Sequence, residues 1–184
     1  MLELLRMLPI ETHLVITRAA EVALAAETDL KPAAVRAMAD VVHAIGDIAA
    51  PISSGSFKTI GMVVAPCSIR SMAEIASGVT TTLLSRAADV VLKERRRLVL
   101  LVRETPLHTG HLRTMTALSE MGAVIAPPVP AFYAKPRSLA EMIDQTLGRV
   151  LDLFDLETGR VRRWGEVAIA GAPPLASKPS RRGG

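Results

Sequence analysis

Aromatic residues make up only 3% of this 184-residue chain: one Trp, one Tyr and three Phe. So few rings leave little on which successive bases can stack, which weighs against a nucleic-acid binder. There is a single cysteine, Cys67, so an internal disulfide framework is excluded and a reducing cytoplasm fits. No apolar run reaches membrane-spanning length. The opening Met1-Leu2-Glu3-Leu4-Leu5-Arg6-Met7-Leu8-Pro9 carries a charge every few residues and lacks the apolar region and cleavage site of a signal peptide. No G-x-G-x-x-G or Walker-type phosphate loop occurs either. These absences leave a cytoplasmic globular protein with no membrane span, whose ligand chemistry rests on less familiar patterns.

What is present is ordinary for a folded domain: 49% apolar and 22% charged residues. The core must come from Leu, Val, Ile, Ala and eight Met. The net charge of +4 is less informative than it looks, because Lys178, Arg181 and Arg182 against Glu166 place about half of it in the last 20 residues. From Gly165 onward Pro, Gly, Ala, Ser and Arg dominate without periodicity. Residues 1–164 are therefore expected to form one domain, and 165–184 a disordered tail.

Periodicity alternates between strand and helix. Thr12–Ile16, Thr59–Ala65, Leu98–Val102 and Ala123–Ala126 read as strands. Thr17–Glu27, Ile69–Ser77, Thr82–Glu94, His108–Met121 and a helix capped by Ser138 and running to Leu153 lie between and after them. Asp29–Asp40 reads as a loop with a short helix, and Gly46–Gly55 as irregular. The run Leu98–Val102 is apolar throughout, as expected of a strand buried on both faces. Together the pattern predicts an α/β, Rossmann-like, doubly wound parallel sheet with helices on both faces, a three-layer αβα arrangement.

Open parallel sheets bind ligands beyond the carboxyl ends of their strands. There Pro66-Cys67-Ser68-Ile69-Arg70-Ser71 turns from strand into helix, with free N–H groups and two hydroxyls that suit a phosphate or a ring carbonyl; the plainer reading is an ordinary Ser cap. Arg103 and Glu104 close the next strand, as an anion clamp beside a proton-handling carboxylate or as a simple ion pair. Lys93-Glu94-Arg95-Arg96-Arg97 reads as a solvated helix end rather than a nucleic-acid patch. Arg86 needs a partner on its helix, and Asp89 is spaced to be one. His108 and His111 have no further ligands to complete a metal set, so no metal is expected. Tyr133 stands in a Pro-bounded loop, and Arg149 lies among apolar neighbours where a charge either snorkels or meets an anion. Cys67 has no neighbouring His in sequence and reads as a poor nucleophile.

In order along the chain, Glu11-Thr12-His13-Leu14-Val15, Ser53-Ser54-Gly55-Ser56-Phe57, Pro66-Cys67-Ser68, Arg86-Ala87-Ala88-Asp89-Val90, Leu92-Lys93-Glu94-Arg95-Arg96, Arg103-Glu104-Thr105-Pro106-Leu107-His108, Gly122-Ala123-Val124-Ile125 and Pro130-Ala131-Phe132-Tyr133 resemble successive motifs of the UbiX-type flavin prenyltransferases. The resemblance covers about residues 2–164. It implies a flavoprotein that joins a dimethylallyl group from dimethylallyl phosphate to reduced FMN at N5 and C6, without a metal. The product then serves as cofactor for a UbiD-type decarboxylase in ubiquinone synthesis or aromatic-acid metabolism. It further implies a homododecamer with sites shared between subunits.

Carried over by motif, Thr17, Ser68, Ile69, Arg70, Ser71 and Arg103 correspond to FMN contacts. Lys93, Tyr133 and Arg149 correspond to the grip on the prenyl-donor phosphate, and Glu27 and Glu104 to carboxylates near the reacting atoms. Three departures accompany the resemblance. The family's opening strand and Gly-Ala-Ser-Gly loop have no counterpart in the sequence, Thr81-Thr82 replace the usual residues before Leu83-Leu84, and Arg97 stands where Pro follows the Arg pair. Two other readings of the same architecture are an FMN enzyme that decarboxylates cysteine substrates and a non-catalytic FMN-binding subunit.

Overall fold

The computed structural model describes residues 1–165; the expected tail lies outside the described residues from 166 on. In chain order the elements are α1 (Leu2–Leu5), β1 (His13–Val15), α2 (Arg18–Glu27), α3 (Pro32–Arg36), β2 (Val41–His43), β3 (Gly61–Cys67), α4 (Ile69–Ala76), α5 (Leu83–Lys93), β4 (Arg97–Val102), α6 (Thr109–Glu120), β5 (Val124–Ile125) and α7 (Leu139–Asp152). Short 3₁₀ turns at Pro51–Ser53 and Phe132–Ala134 punctuate the loops.

Four of the five longer helices start where a hydroxyl can satisfy a free backbone donor, and α6 starts at the His108 imidazole. Thr17, Ser68, Thr82 and Ser138 each accept the N–H of the third helical residue, from Ala20, Ser71, Ser85 and Glu141 respectively. Each such cap stabilises its helix by about 1 kcal/mol.

The layers follow from β4. Alternate side chains of a strand point to opposite faces. Leu98, Leu100 and Val102 pack with Met72 and Ile75 of α4, Leu84, Ala88 and Val91 of α5 and Leu118 of α6. Val99 and Leu101 pack the other way, on Val150 of α7 and on Phe154. The strand is thus sandwiched between helices, as its unbroken apolar run requires. At the start of β3, Gly61 holds φ at +150°, and a Cβ there would strike the Arg97 carbonyl and the Phe154 ring, so only glycine admits this close approach.

All ladders are parallel. β3, β4 and β5 form one sheet in that order, and β1 pairs with β2 in a second; no ladder joins the two among the described residues. β2 is absent from the sequence reading. Its three residues are too few for a period to register, and what fixes it is distant in sequence. The Asp40 carboxylate accepts both the N–H and the hydroxyl of Thr12 (2.8 and 2.7 Å), while Thr12 Oγ1 accepts the Asp40 N–H (3.0 Å). Those bonds to the ionised form hold the Asp40 carboxyl below its ordinary range.

Candidate active site

Two neighbouring strands end at one edge. Cys67 of β3 pairs with Val102 of β4, and the Arg103 N–H donates to the Cys67 carbonyl (3.4 Å), so the turn at Ser68 and the side chains of Arg103 and Glu104 leave the sheet side by side. Ser68, Arg103 and Glu104 are exposed. Ser68 Oγ accepts the Ser71 N–H (3.2 Å) and donates to Ser71 Oγ (3.1 Å). Arg70 turns along α4 to Glu74 (2.8 Å), so its backbone rather than its guanidinium faces this edge. Thr17 tops β1 in the same way, as the cap of α2.

Glu27, the last residue of α2, meets Arg103 in a two-pronged pair with both N···O distances at 2.8 Å. The hydrogen bonds from Arg103 hold the Glu27 carboxyl below its ordinary range, with the guanidinium charge adding to the effect. The same bonds raise the guanidinium of Arg103 further. Glu104 is differently placed: one of its oxygens accepts the Thr105 N–H (3.0 Å).

Cys67, beneath this edge, is fully buried, and burial pushes its thiol up to about 12. A thiol held neutral at that level is inert as a nucleophile at physiological pH. His108 is committed to structure, since its Nδ1 accepts from the N–H groups of Gly110 (3.0 Å) and His111 (3.4 Å) at the start of α6, with the two imidazoles stacked 3.6 Å apart.

The three expected phosphate ligands stand elsewhere. Lys93 ends α5 and pairs with Glu94, whose carboxyl it holds below the ordinary range. The loop Ser53-Ser54-Gly55-Ser56-Phe57 lies against it: a Cβ on Gly55 would run into the ends of the Lys93 and Glu94 side chains. Two arginines pin that loop. Arg86 donates to the Ser53 carbonyl (3.1 Å) as well as to Asp89 (2.9 Å), and Arg96 donates to the carbonyls of Phe57 (2.6 Å) and Gly55 (2.7 Å). The Arg86–Asp89 pair was legible from spacing; the loop clasp was not, because carbonyls about 40 residues away leave no local pattern.

Tyr133 lies in the turn Phe132–Ala134, its hydroxyl bonded to Gln145 Nε2 (3.2 Å) and its ring in a T-shaped contact with Trp164 (centroids 5.6 Å apart). Arg149 sits one turn beyond Gln145 on α7 and pairs with Asp152, which Arg163 also grips (3.0 Å).

One chain therefore brings Arg103, Glu27, Glu104 and the Ser68 turn to a common edge. It keeps Lys93 apart from them, before β4 rather than after it, a separation of about 20 Å along six strand residues. It also sets Lys93 and Arg149 on helices packed against opposite faces of that strand. Gln145 and Trp164 escape sequence reading, although a polar residue at core spacing on an apolar helix face is a signal that finds Gln145.

Comparison with known proteins identifies the family. The model of the Flavoprotein family matches residues 1–161. Flavin prenyltransferase UbiX of Escherichia coli K12 is 62% identical over 145 residues, which is 79% of this chain and 77% of that protein. The crystal structure of AnUbiX (PadA1) in complex with FMN and dimethylallyl pyrophosphate superposes with a TM-score of 0.88 at 57% identity, covering 89% of this chain and 87% of that one. A dodecameric FMN-dependent UbiX-like decarboxylase from Escherichia coli O157:H7 gives 0.86 at 49% identity, covering 89% of each chain. With this degree of identity over most of its length, the chain belongs to the flavoprotein family and, within it, to the UbiX flavin prenyltransferases.

Proposed function

We propose that residues 1–164 act as one unit that transfers a dimethylallyl group from dimethylallyl phosphate to reduced FMN, in the cytoplasm, as part of a homododecamer. The observation that carries the reading is the close likeness to AnUbiX, a protein solved with FMN and dimethylallyl pyrophosphate together. The donor set fits a flavin phosphate and ring: capped helix N-termini at Thr17 and at Ser68, Ile69, Arg70 and Ser71, with the cation Arg103 beside the second. Reduced FMN supplies the nucleophilic ring atoms to which the allyl group becomes bonded.

This chain's own side chains act on charge and protons. As the allylic C–O bond breaks, its electron pair leaves with phosphate, and negative charge grows on the leaving oxygen. Lys93, Tyr133 and Arg149 are assigned to that anion, two as cations and one as a hydroxyl donor. Because Lys93 and Arg149 belong to helices on opposite faces of one sheet, they are assigned to one phosphate drawn from different subunits. Glu27, kept ionised by Arg103, is assigned to orient that arginine. Glu104, with a lone backbone donor, is assigned to move the proton that ring closure releases. The buried, neutral Cys67 takes no part. The product is assigned to a UbiD-type decarboxylase acting in ubiquinone synthesis or on aromatic acids.

The test is anaerobic incubation of the protein with reduced FMN and dimethylallyl phosphate, following free phosphate and the mass of the flavin. Release of phosphate matched by gain of one prenyl unit on the flavin supports the reading. Flavin that binds and stays unmodified favours an FMN-binding subunit instead.

A further inference from the structure

Only three polar side chains are buried among the described residues, and Gln145, 2% exposed, is one of them. It lies on none of the motifs that mark the family. A buried carboxamide must find partners for two N–H donors and an oxygen. Here all three are used: Oε1 accepts the backbone N–H of Arg162 (2.8 Å), and Nε2 donates to the Arg162 carbonyl (3.0 Å) and to the Tyr133 hydroxyl (3.2 Å). The orientation of the amide is not free. The Arg162 backbone N–H can only donate, so the oxygen must face it and the NH₂ group must face Arg162 O and Tyr133. The Tyr133 oxygen is therefore an acceptor toward Gln145, which leaves its own proton for another acceptor.

The same strap of chain fixes the tyrosine from its other side. The Arg162 guanidinium donates to the Ala134 carbonyl (3.0 Å), which closes the turn carrying Tyr133. The Tyr133 and Trp164 rings meet in a T-shaped contact. Val161 fills the space over Gly148, where a Cβ would collide with it.

We infer that Gln145 is a positioning residue for the reaction: by clamping residues 161–164 onto α7 and donating to the Tyr133 oxygen, it fixes the tyrosyl proton as a hydrogen-bond donor toward the phosphate of the prenyl donor. This rests on the function proposed above. Its chemistry is directional, so polarity and not volume is the determinant. Gln145→Glu keeps size and contact but offers only acceptors there, so the tyrosyl proton turns inward and is lost to the phosphate. Gln145→Met keeps volume and removes both directions.

The experiment measures steady-state kinetics with dimethylallyl phosphate for the wild type, Gln145→Met, Gln145→Glu, Tyr133→Phe and each double variant, with bound FMN quantified in all. Because the chain has one Tyr, ultraviolet resonance Raman of its Fermi doublet reports without ambiguity whether the phenol donates or accepts. The expected result is a KM for dimethylallyl phosphate raised about tenfold in Gln145→Met, and at least as much in Gln145→Glu, with kcat changed less and FMN retained. The Raman doublet of Gln145→Glu should shift toward a donating phenol. In the Tyr133→Phe background either substitution should add less than about twofold. Equal losses with and without the tyrosyl hydroxyl, or an unchanged KM in an active wild-type background, would overturn the positioning role alone. A wild-type protein that binds FMN but never consumes dimethylallyl phosphate would overturn the function on which it rests, and this inference with it.

Discussion

Arg103 and Glu27, 76 residues apart in sequence, face each other through two parallel N–H···O bonds of 2.8 Å. This pair ties the end of α2 to the end of β4 and fixes the guanidinium plane at the edge where Ser68 also stands. Such an exposed pair contributes little to stability by itself, so its role is in orientation.

Glu27→Gln tests that role. The substitution should reduce kcat/KM about tenfold or more by freeing Arg103, while changing the melting temperature little at neutral pH. The pH dependence has a defined sign. Because the folded-state carboxyl of Glu27 is lowered, what it contributes to stability is present above its ordinary value and is lost as pH falls through the lower, folded value. The difference in melting temperature between wild type and Glu27→Gln should therefore stay constant through neutral and mildly acid pH and narrow only in stronger acid.

Cys67 should resist thiol reagents in the folded protein. With its thiol raised to about 12 by burial, labelling at pH 8 should follow unfolding rather than precede it. Cys67→Ala should retain activity at a cost of about 1 kcal/mol in stability. Fast stoichiometric labelling of the native protein, or loss of turnover in Cys67→Ala with the fold intact, would contradict the placement of this residue.

Leu100 is wholly buried on the face of β4 that packs against α4, α5 and α6. Leu100→Ala should destabilise the protein by about 2–5 kcal/mol, read from denaturant midpoints. A loss under about 1 kcal/mol would show that β4 is not the centre of the core.

Arg96 holds the loop Ser53-Ser54-Gly55-Ser56-Phe57 by two carbonyls. Arg96→Lys cannot reproduce that fork. It should cost about 1–3 kcal/mol and make the chain susceptible to proteolysis within residues 53–57. If the loop borders the phosphate beside Lys93, the same variant should raise the KM for dimethylallyl phosphate while leaving FMN retention unchanged.

What was legible in the sequence was local or repeated. The apolar run of β4 carries its burial on both faces in five consecutive residues. The hydroxyls of Ser68 and Ser138 announce the helices they cap, and Arg86 and Asp89 are a helical turn apart. β2 was illegible because its register comes from Thr12 clasping Asp40, 28 residues on. The Arg103–Glu27 pair, the Arg96 clasp and the Gln145–Arg162 lock share that property. Resemblance placed Arg103 and Glu27 in one site without saying that they bond to each other, and the geometry adds that one guanidinium occupies both oxygens of one carboxylate while Glu104 remains available.

The most direct measurement of the central claim is subunit complementation. Lys93→Ala and Arg149→Ala are each expected to abolish prenyl transfer; these residues belong to helices on opposite faces of one sheet, and the proposed site draws them from different copies. Co-assembled from equal amounts of the two variants, mixed oligomers should recover about a quarter of wild-type activity, the fraction of interfaces that receive an intact lysine from one copy and an intact arginine from the other. A mixture no more active than either variant alone would contradict a phosphate site built between subunits.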